Sequence, residues 1–446
     1  MLPADANVHL VATCNRIDRG APVTESERTI RTADTSGGTP ATALSGRTTL
    51  LFAVASGVAV ANVYFAQPLL VTLSQDFRIS AATIGVVVTL TQIGYGLGLF
   101  LLVPLGDLVD RRTLVVTQLA LLAAALVATG TAATAPVLLT ALAAVGFLAV
   151  VTQTLVAFAA SLSTPDRRGR AVGLVTSGIV IGILLARTVS GALADLAGWR
   201  SVYLASAALT LVLTLALYRV LPRRSTPPAS MRYLRLLRST ITLFAEERVL
   251  RVRALLALLV FAAFSTLWSC VALPLSEPPL SLSHTAIGAF GLAGAAGALA
   301  AAPAGRLHDR GLAGWTTGTA LVLLTVSWLP LALTRQSLWA LAIGAVVLDL
   351  AVQAVHVTNQ SLIYAVRPDA GSRLIGGYMV FYSVGSATGA LASTAVHAMA
   401  GWGAVCLLGA AISALALLVW VVDSRQCASA AGSRTKTGIC RSVLRW

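Results

Sequence analysis

The sequence is poor in charge. Only 11% of its 446 residues are Asp, Glu, Lys or Arg, where a soluble domain carries about 25%. So little charge cannot cover the water-facing surface of a chain this long, which excludes a soluble enzyme. Lysine is almost missing: Lys436 is the single one, and it follows Thr435 rather than a glycine. A phosphate-binding loop of the form G-x-x-x-x-G-K-[ST] is therefore excluded, and any pumping must draw on a gradient or on a separate subunit. Cysteine is scarce as well. Cys14, Cys270, Cys406, Cys427 and Cys440 are scattered and lack C-x-x-C spacing, so neither a disulfide framework nor a zinc site is indicated. H-E-x-x-H and G-x-S-x-G are both missing, which argues against an intramembrane hydrolase. Residues 1–46 contain no apolar leader; they are rich in Thr, Ala and Gly and read as a disordered tail.

What is abundant is apolar. Hydrophobic residues make up 57% of the chain, and its mean hydropathy is +0.83. Apolar stretches recur at 49–73, 82–104, 113–134, 137–162, 171–194 and 201–221, then at 254–275, 285–304, 313–333, 338–363, 374–398 and 403–422. They are numbered span 1 to span 12 below. Each is long enough for a crossing, which takes roughly 20 residues. Each must be helical, because lipid offers no partner for a free N–H or C=O. The expected fold is an all-α polytopic membrane protein with twelve transmembrane helices in two pseudo-symmetric six-helix bundles. Its parts are a tail at 1–46, a bundle at 47–221, a basic linker at 222–253, a second bundle at 254–424 and a basic tail at 425–446.

Charge placement gives the orientation. The net charge of +15 would suggest nucleic acid in a soluble protein. Here it reads as membrane topology, and no nucleic-acid partner is expected. With the N-terminus inside, 28 of the 32 basic residues fall inside, the outer loops hold only Arg78, Arg200 and Arg335, and Arg187 lies within span 5. Both termini are thus expected in the cytoplasm, with the spans in the inner cell membrane. In the linker, Leu234, Leu237, Ile241 and Phe244 recur at helical spacing against Arg232, Arg235 and Arg238, after Pro227-Pro228. This predicts an amphipathic helix on the inner membrane face; a solvated basic loop is the alternative.

The two halves repeat. Pro104-Leu-Gly106-Asp-Leu-Val-Asp110-Arg111 matches Pro303-Ala-Gly305-Arg-Leu-His-Asp309-Arg310. Gln153 matches Gln353, and Pro165-Asp166, Arg170, Gly173 and Gly198-Trp199 match Pro368-Asp369, Arg373, Gly376 and Gly401-Trp402. Parallel six-helix repeats predict a rocking secondary transporter with its substrate site between the halves near the bilayer midplane.

The loop after span 2, with Gly106, Asp110 and Arg111, resembles the loop-2/3 motif of the major facilitator superfamily, and Gly305, Asp309 and Arg310 repeat it after span 8. The later glycine and basic positions of the first copy are replaced by Thr113, Leu114 and Val115. The resemblance covers roughly 47–425. It implies that these residues form a cytoplasmic latch holding the halves together in the outward-facing state; a plain positive-inside anchor is the alternative. The chain looks closest to the twelve-span drug:proton antiporter branch, through Asn62-Val-Tyr64-Phe-Ala-Gln67-Pro68 in span 1 and Gly178 to Gly191 in span 5. It departs from that branch at Ile183, Ala186 and Arg187, where the branch carries a proline and a glycine pair, and span 4 lacks the branch's membrane-embedded arginine. The resemblance implies that spans 2, 5, 8 and 11 line the interface between halves. Their small residues, Gly178, Gly182, Ala186, Ser190 and Ala194, Gly385, Gly389 and Ser393, Gly94 and Gly98, and Gly291, Gly294 and Gly297, would allow close approach there. Static packing is the other reading.

Charges inside the spans are few. Asp349 lies eleven residues into span 10, near the midplane, and Gln353, His356 and Gln360 follow it on one helical face. A charge at that depth costs about 2.5–3.5 kcal/mol on insertion scales; Asp349 and His356 are the expected proton-coupling residues, with a static partner to Arg187 the other reading of Asp349 and a satisfied helix-packing histidine that of His356. Arg187 can bind an anionic substrate, pair with Asp349 or lock the halves. Tyr64, Gln67, Gln153, Arg187, Trp268, Gln353 and Gln360 are the expected cavity residues, with Phe264 adding aromatic area; for several of them plain packing is an equal reading. The expected function is secondary active transport by alternating access, as proton-coupled efflux of a small apolar or amphipathic molecule. Uptake or exchange of a polar or anionic metabolite is the second reading, and a non-transporting receptor or scaffold the third. The expected partners are a small-molecule substrate, protons and the lipid bilayer, for a monomer without metal or cofactor.

Overall fold

The computed structural model describes residues 46–221, 233–298, 301–366 and 371–432, and every regular element within them is helical. Nine helices among the described residues are long and apolar enough to cross a membrane: Val86–Gly106, Arg111–Gly130, Ala135–Leu162, Gly169–Ala197, Trp199–Val220, Arg248–Ser276, Ala313–Ala332, Leu338–Val366 and Leu374–Gln426. The last holds spans 11 and 12, because Gly401 takes φ 73° and ψ −172° and breaks the helix between them. A residue with a Cβ adopts that φ only under strain. Span 1 starts as the shorter helix Gly46–Ala61 and span 8 as His284–Ala298. Large apolar side chains face outward, Val212 being 63% exposed and Leu407 73%. Lipid accommodates such faces; water does not.

Within the first half, span 1 packs on span 5, span 2 on span 4 and span 3 on span 6; within the second, span 7 packs on span 11 and span 10 on spans 8 and 9. The halves meet where span 5 lies on span 8 and span 2 on span 11. Most of the small-residue stripes do not lie there, contrary to the expectation from sequence. A Cβ at Gly178 or Gly182 would strike the span 1 backbone at Ala53 or Gly57. One at Gly94 or Gly98 would strike span 4 at Ala143 or Phe147, and one at Gly385 or Gly389 span 7 at Leu258 or Ala262. These stripes tie helices within a half, where lipid gives no hydrophobic drive and close backbone approach must supply the attraction. Of the stripe glycines, Gly291 does cross, against Arg187, and it is joined there by Gly85 against Ala390, Gly96 against Ser383, Gly191 against His284 and Gly288 against Arg187.

Spans 1 and 7 both break partway. Span 1 tightens at 62–66, where Val63 N–H bonds Val60 O and Tyr64 N–H bonds Ala61 O, and resumes as Gln67–Leu69 and Leu70–Phe77. Ser190 Oγ donates to the freed Phe65 carbonyl at 2.8 Å, and Ser206 Oγ to Asn62 Oδ1 at 2.7 Å. Span 7 breaks after Trp268 and resumes as Ala272–Ser276. Interrupted helices at corresponding places in two repeats point to a binding site.

The linker forms the helix Tyr233–Glu246. Thr240 and Leu243 are buried, Phe244 stacks on Phe381 of span 11 at 5.3 Å, and the Tyr233 hydroxyl donates to Leu101 O at the end of span 2 (2.7 Å). Leu234 and Ile241 stay exposed. Arg253, which the charge pattern assigns to the linker, is instead buried in span 7, with its guanidinium on Asn359 Oδ1 at 3.3 Å. Arg187 is therefore not the only buried cation. Residues 1–45, Pro227-Pro228 and Arg232, Pro368-Asp369 and 433–446 lie outside the described residues, as do the side chains of Pro165, Asp166, Asp309 and Arg373.

Candidate functional site

The bundle has an arginine-poor end, with turns at 78–85, 198, 277–283 and 401, and an arginine-rich end, with turns at 102–110, 163–164 and 310–312. At the arginine-poor end the halves are bound together. Asp195, near the end of span 5, caps span 8 of the opposite half. Its Oδ2 accepts from Thr285 N–H and from Thr285 Oγ1, each at 2.7 Å, and its Oδ1 accepts from His284 N–H at 3.3 Å and meets His284 Nδ1 at 2.7 Å. The other ring nitrogen of His284 returns to Thr72 Oγ1 of the first half at 2.7 Å. A carboxylate at a helix N-terminus satisfies free N–H groups and the helix dipole together. Nearby, Thr89 Oγ1 donates to Ala387 O at 2.9 Å and Thr188 Oγ1 to Gly288 O at 3.0 Å, both across the halves. The sequence reading missed this cluster. Its one signal was a conventional one: an acid at a span end facing a His-Thr pair that opens another span.

Between the halves lies a cavity of about 240 Å³. It is lined from span 1 by Tyr64, from span 2 by Tyr95, from span 5 by Thr176 to Arg187, from span 7 by Phe261 and Phe264, from span 10 by Asp349 to Gln360, and from span 11 by Tyr382. The Tyr64 and Tyr382 hydroxyls bond each other at 2.5 Å across it. Of the residues expected from sequence, Tyr64, Arg187, Asp349, Gln353, His356 and Gln360 line this cavity together. Gln67 and Trp268 stand behind it, each in contact with a lining residue. Gln153 does not line it. It borders a separate pocket of about 80 Å³ at the arginine-rich end, with Gly106 and Arg111. Its side chain nonetheless bonds Tyr95, which lines the cavity.

Arg187 and Asp349 form the deep end, 3% and 6% exposed. They are not paired. Arg187 Nε donates to Gln67 Oε1 at 2.6 Å, its Nη2 has no hydrogen-bond partner among the described residues, and its guanidinium lies over the Trp268 ring at 4.1 Å, with Tyr64 at 5.3 Å and Phe264 at 5.6 Å. Stacking of this kind holds a cation by the ring's negative face without using its N–H groups. Asp349 Oδ1 accepts from Trp268 Nε1 at 3.0 Å, and a Cβ added at Gly294 would overlap Oδ2. One indole thus holds acid and base at once, by its N–H and by its face. Toward the arginine-rich end, His356 Nδ1 meets the Tyr378 hydroxyl at 2.9 Å and its Nε2 meets Gln360 Nε2 at 3.2 Å.

The loop after span 2 makes several contacts within its own half. Asp110 caps span 3, its Oδ2 accepting from Thr113 N–H and Oγ1 at 2.9 Å each. Arg111 Nε donates to Gly106 O at 3.0 Å and its Nη1 to Ala157 O of span 4 at 3.3 Å. In the second copy Arg310 is exposed, and a Cβ at Gly305 would meet nothing within 4 Å. No described group among His, Cys, Asp and Glu could hold a metal ion.

A family model described as Major Facilitator Superfamily matches residues 52–310 and 254–439. The chain is 46% identical over 377 residues to the uncharacterized transporter YgaY of Escherichia coli O157:H7, across 84% of this chain and 95% of that protein. It is 32% identical over 363 residues to the probable transporter SCO4007 of Streptomyces coelicolor, across 81% of this chain and 84% of that one. Among solved structures, a bacterial homolog of the human lysosomal transporter Spinster, in an inward-facing and occupied conformation, superposes with a TM-score of 0.68 at 15% identity, covering 85% of this chain and 96% of its own. That last likeness is one of fold.

Proposed function

The chain belongs to the major facilitator superfamily and is a transporter of that type; from that premise we propose that it works by alternating access and couples a small amphipathic solute to protons through Asp349. One observation carries the reading: a carboxyl group and a guanidinium are buried together at the deep end of a cavity between the halves, held by one indole yet not paired. Ionisable groups at that depth mark ion and substrate pathways. An unpaired acid beside a fixed cation can exchange a proton without dismantling a salt bridge. Gln353, His356 and Gln360 continue the polar line toward the arginine-rich end and offer water and protons a route.

The positive-inside rule supports a cytoplasmic arginine-rich end, in keeping with our reading of an inner-cell-membrane protein with both termini inside. The contacts made by Asp195, His284, Thr89 and Thr188 then close the outer face, which supports an inward-facing reading of this conformation. The opposite state would break them and engage the cytoplasmic latch of Gly106, Asp110, Arg111, Gly305, Asp309 and Arg310, of which Asp110 here caps span 3. The antiporter resemblance favours efflux. Arg187, standing where that branch has glycine, favours uptake or exchange of an anion.

Flux into sealed inverted vesicles, with and without an imposed pH gradient, tests the reading. Accumulation that requires the gradient and collapses with a protonophore is expected. Downhill flux alone removes the coupling, and absence of flux for every solute of a broad panel favours the receptor or scaffold reading.

A further inference from the structure

We infer that the deep end of the cavity binds a small organic anion, a carboxylate on a flat apolar body, and that it enters together with a proton on Asp349. This rests on the transporter reading and names its cargo. Arg187 is 3% exposed, yet among the described residues its Nη2 has no partner and its Nε alone is engaged, by Gln67. A buried charged donor left empty is costly, and a guanidinium presents its N–H groups as a fork that fits a carboxylate. The faces of that fork are occupied by Trp268, Tyr64 and Phe264, so a ligand can approach only its edge. The adjoining walls are Ile183, Phe261, Val352 and Met379, which suit an apolar ring. The volume of about 240 Å³ falls below the roughly 300–1,000 Å³ of drug-sized pockets and favours a body of one or two rings.

Charge balance ties the anion to the proton. The groups that face Asp349 are Arg187 from span 5, Tyr64 from span 1, Tyr382 from span 11 and His356 along its own helix; span 8 presents Gly294 and span 7 presents Trp268. The only fixed positive charge in this set is Arg187. Without ligand, an ionised Asp349 balances it. An arriving carboxylate makes two anions for one buried cation, and a proton on Asp349 restores neutrality. Each therefore strengthens the binding of the other, by the reciprocity of linked equilibria. Anion and proton then cross together, so an inward proton gradient drives uptake.

The test is calorimetric titration of the purified protein with benzoate and with benzamide, repeated in buffers of different ionisation enthalpy to count protons. Expected are binding of benzoate with close to one proton taken up, and no binding of benzamide. Arg187→Gln should weaken benzoate binding by about 100-fold. Gln67→Glu supplies an internal carboxylate to Arg187 and should do the same while keeping the fold, which separates loss of the site from loss of structure. Asp349→Asn should bind benzoate without proton uptake. Equal binding of benzamide, benzoate binding without a proton in the unaltered protein, or no binding of benzoate, phenylacetate or indole acetate at millimolar concentration overturns the proposal. Any of these alongside intact gradient-driven flux of another solute removes the anion and leaves the transporter. Benzoate binding as expected, with no proton-dependent flux, removes the coupled transporter and leaves the site.

Discussion

Replacing Asp195 by Ala should open the arginine-poor end. The carboxylate makes four contacts to the first two residues of span 8 on the opposite half, three of them at 2.7 Å. Its side chain is 29% exposed, so water screens part of each contact. Hydrogen bonds to a charged group contribute about 1.5–3 kcal/mol when dry, and a helix N-cap about 0.5–2 kcal/mol. Since the four contacts share one carboxylate and are not additive, a total of about 2–3 kcal/mol is reasonable, or roughly 30–150-fold in the ratio of the two states. Asp195→Asn keeps one acceptor oxygen and should give about half of that energy. Among the described residues its hydrogen bonds all go to the opposite half, so folding should survive. Spin labels at Ala197 and Ser281, both exposed and on opposite halves, report the separation directly. The expected result is a longer-distance population that is minor in the unaltered protein, larger in Asp195→Asn and dominant in Asp195→Ala. An unchanged distance distribution in a folded Asp195→Ala protein would refute the reasoning, since these contacts would then not hold the closed face.

Three further outcomes follow from the same geometry. Gly294→Ala places a Cβ on Asp349 Oδ2; the carboxyl must shift by about 1 Å at an overpacking cost of about 1–3 kcal/mol, so the melting temperature should fall modestly while the pH profile of transport moves. Asp110→Asn retains a good N-cap for span 3 and should leave the melting temperature unchanged, whereas Asp110→Ala should cost about 1 kcal/mol; reduced transport in the Asn variant supports the latch, and full transport reduces Asp110 to a cap. Cysteines at Arg335 and Ile241 should be labelled from outside and protected in intact cells, respectively; external labelling at Ile241 would invert the orientation.

The spans were legible in the sequence because lipid leaves the backbone a single option, and the repeat was legible because its loops keep Gly, Asp and Arg at fixed spacing. Asp349 and Arg187 stood out for the same physical reason, since charge within an apolar run is expensive. What each of them touches was not legible. Whether Arg187 met Asp349 or Gln67 depends on the break in span 1 that brings Gln67 beneath it, and on Trp268 filling the space between. Asp195 looked like any acid at a span end, because a cap on a distant helix leaves no local pattern. Arg253 was assigned to the linker by charge counting, which cannot distinguish a solvated arginine from one folded against Asn359. The glycine stripes were visible, but a stripe does not name its partner. Most of them proved to bind helices within a half.

The central claim, that Asp349 carries the coupling proton, is tested most directly by Asp349→Asn reconstituted in proteoliposomes. The amide keeps the shape, and the Trp268 N–H can still donate to its oxygen, but the group no longer titrates. Solute exchange between equal internal and external pools should persist, while accumulation driven by a pH gradient should disappear. Accumulation by Asp349→Asn against a concentration gradient, with unaltered pH dependence, would contradict the account and make this carboxylate structural.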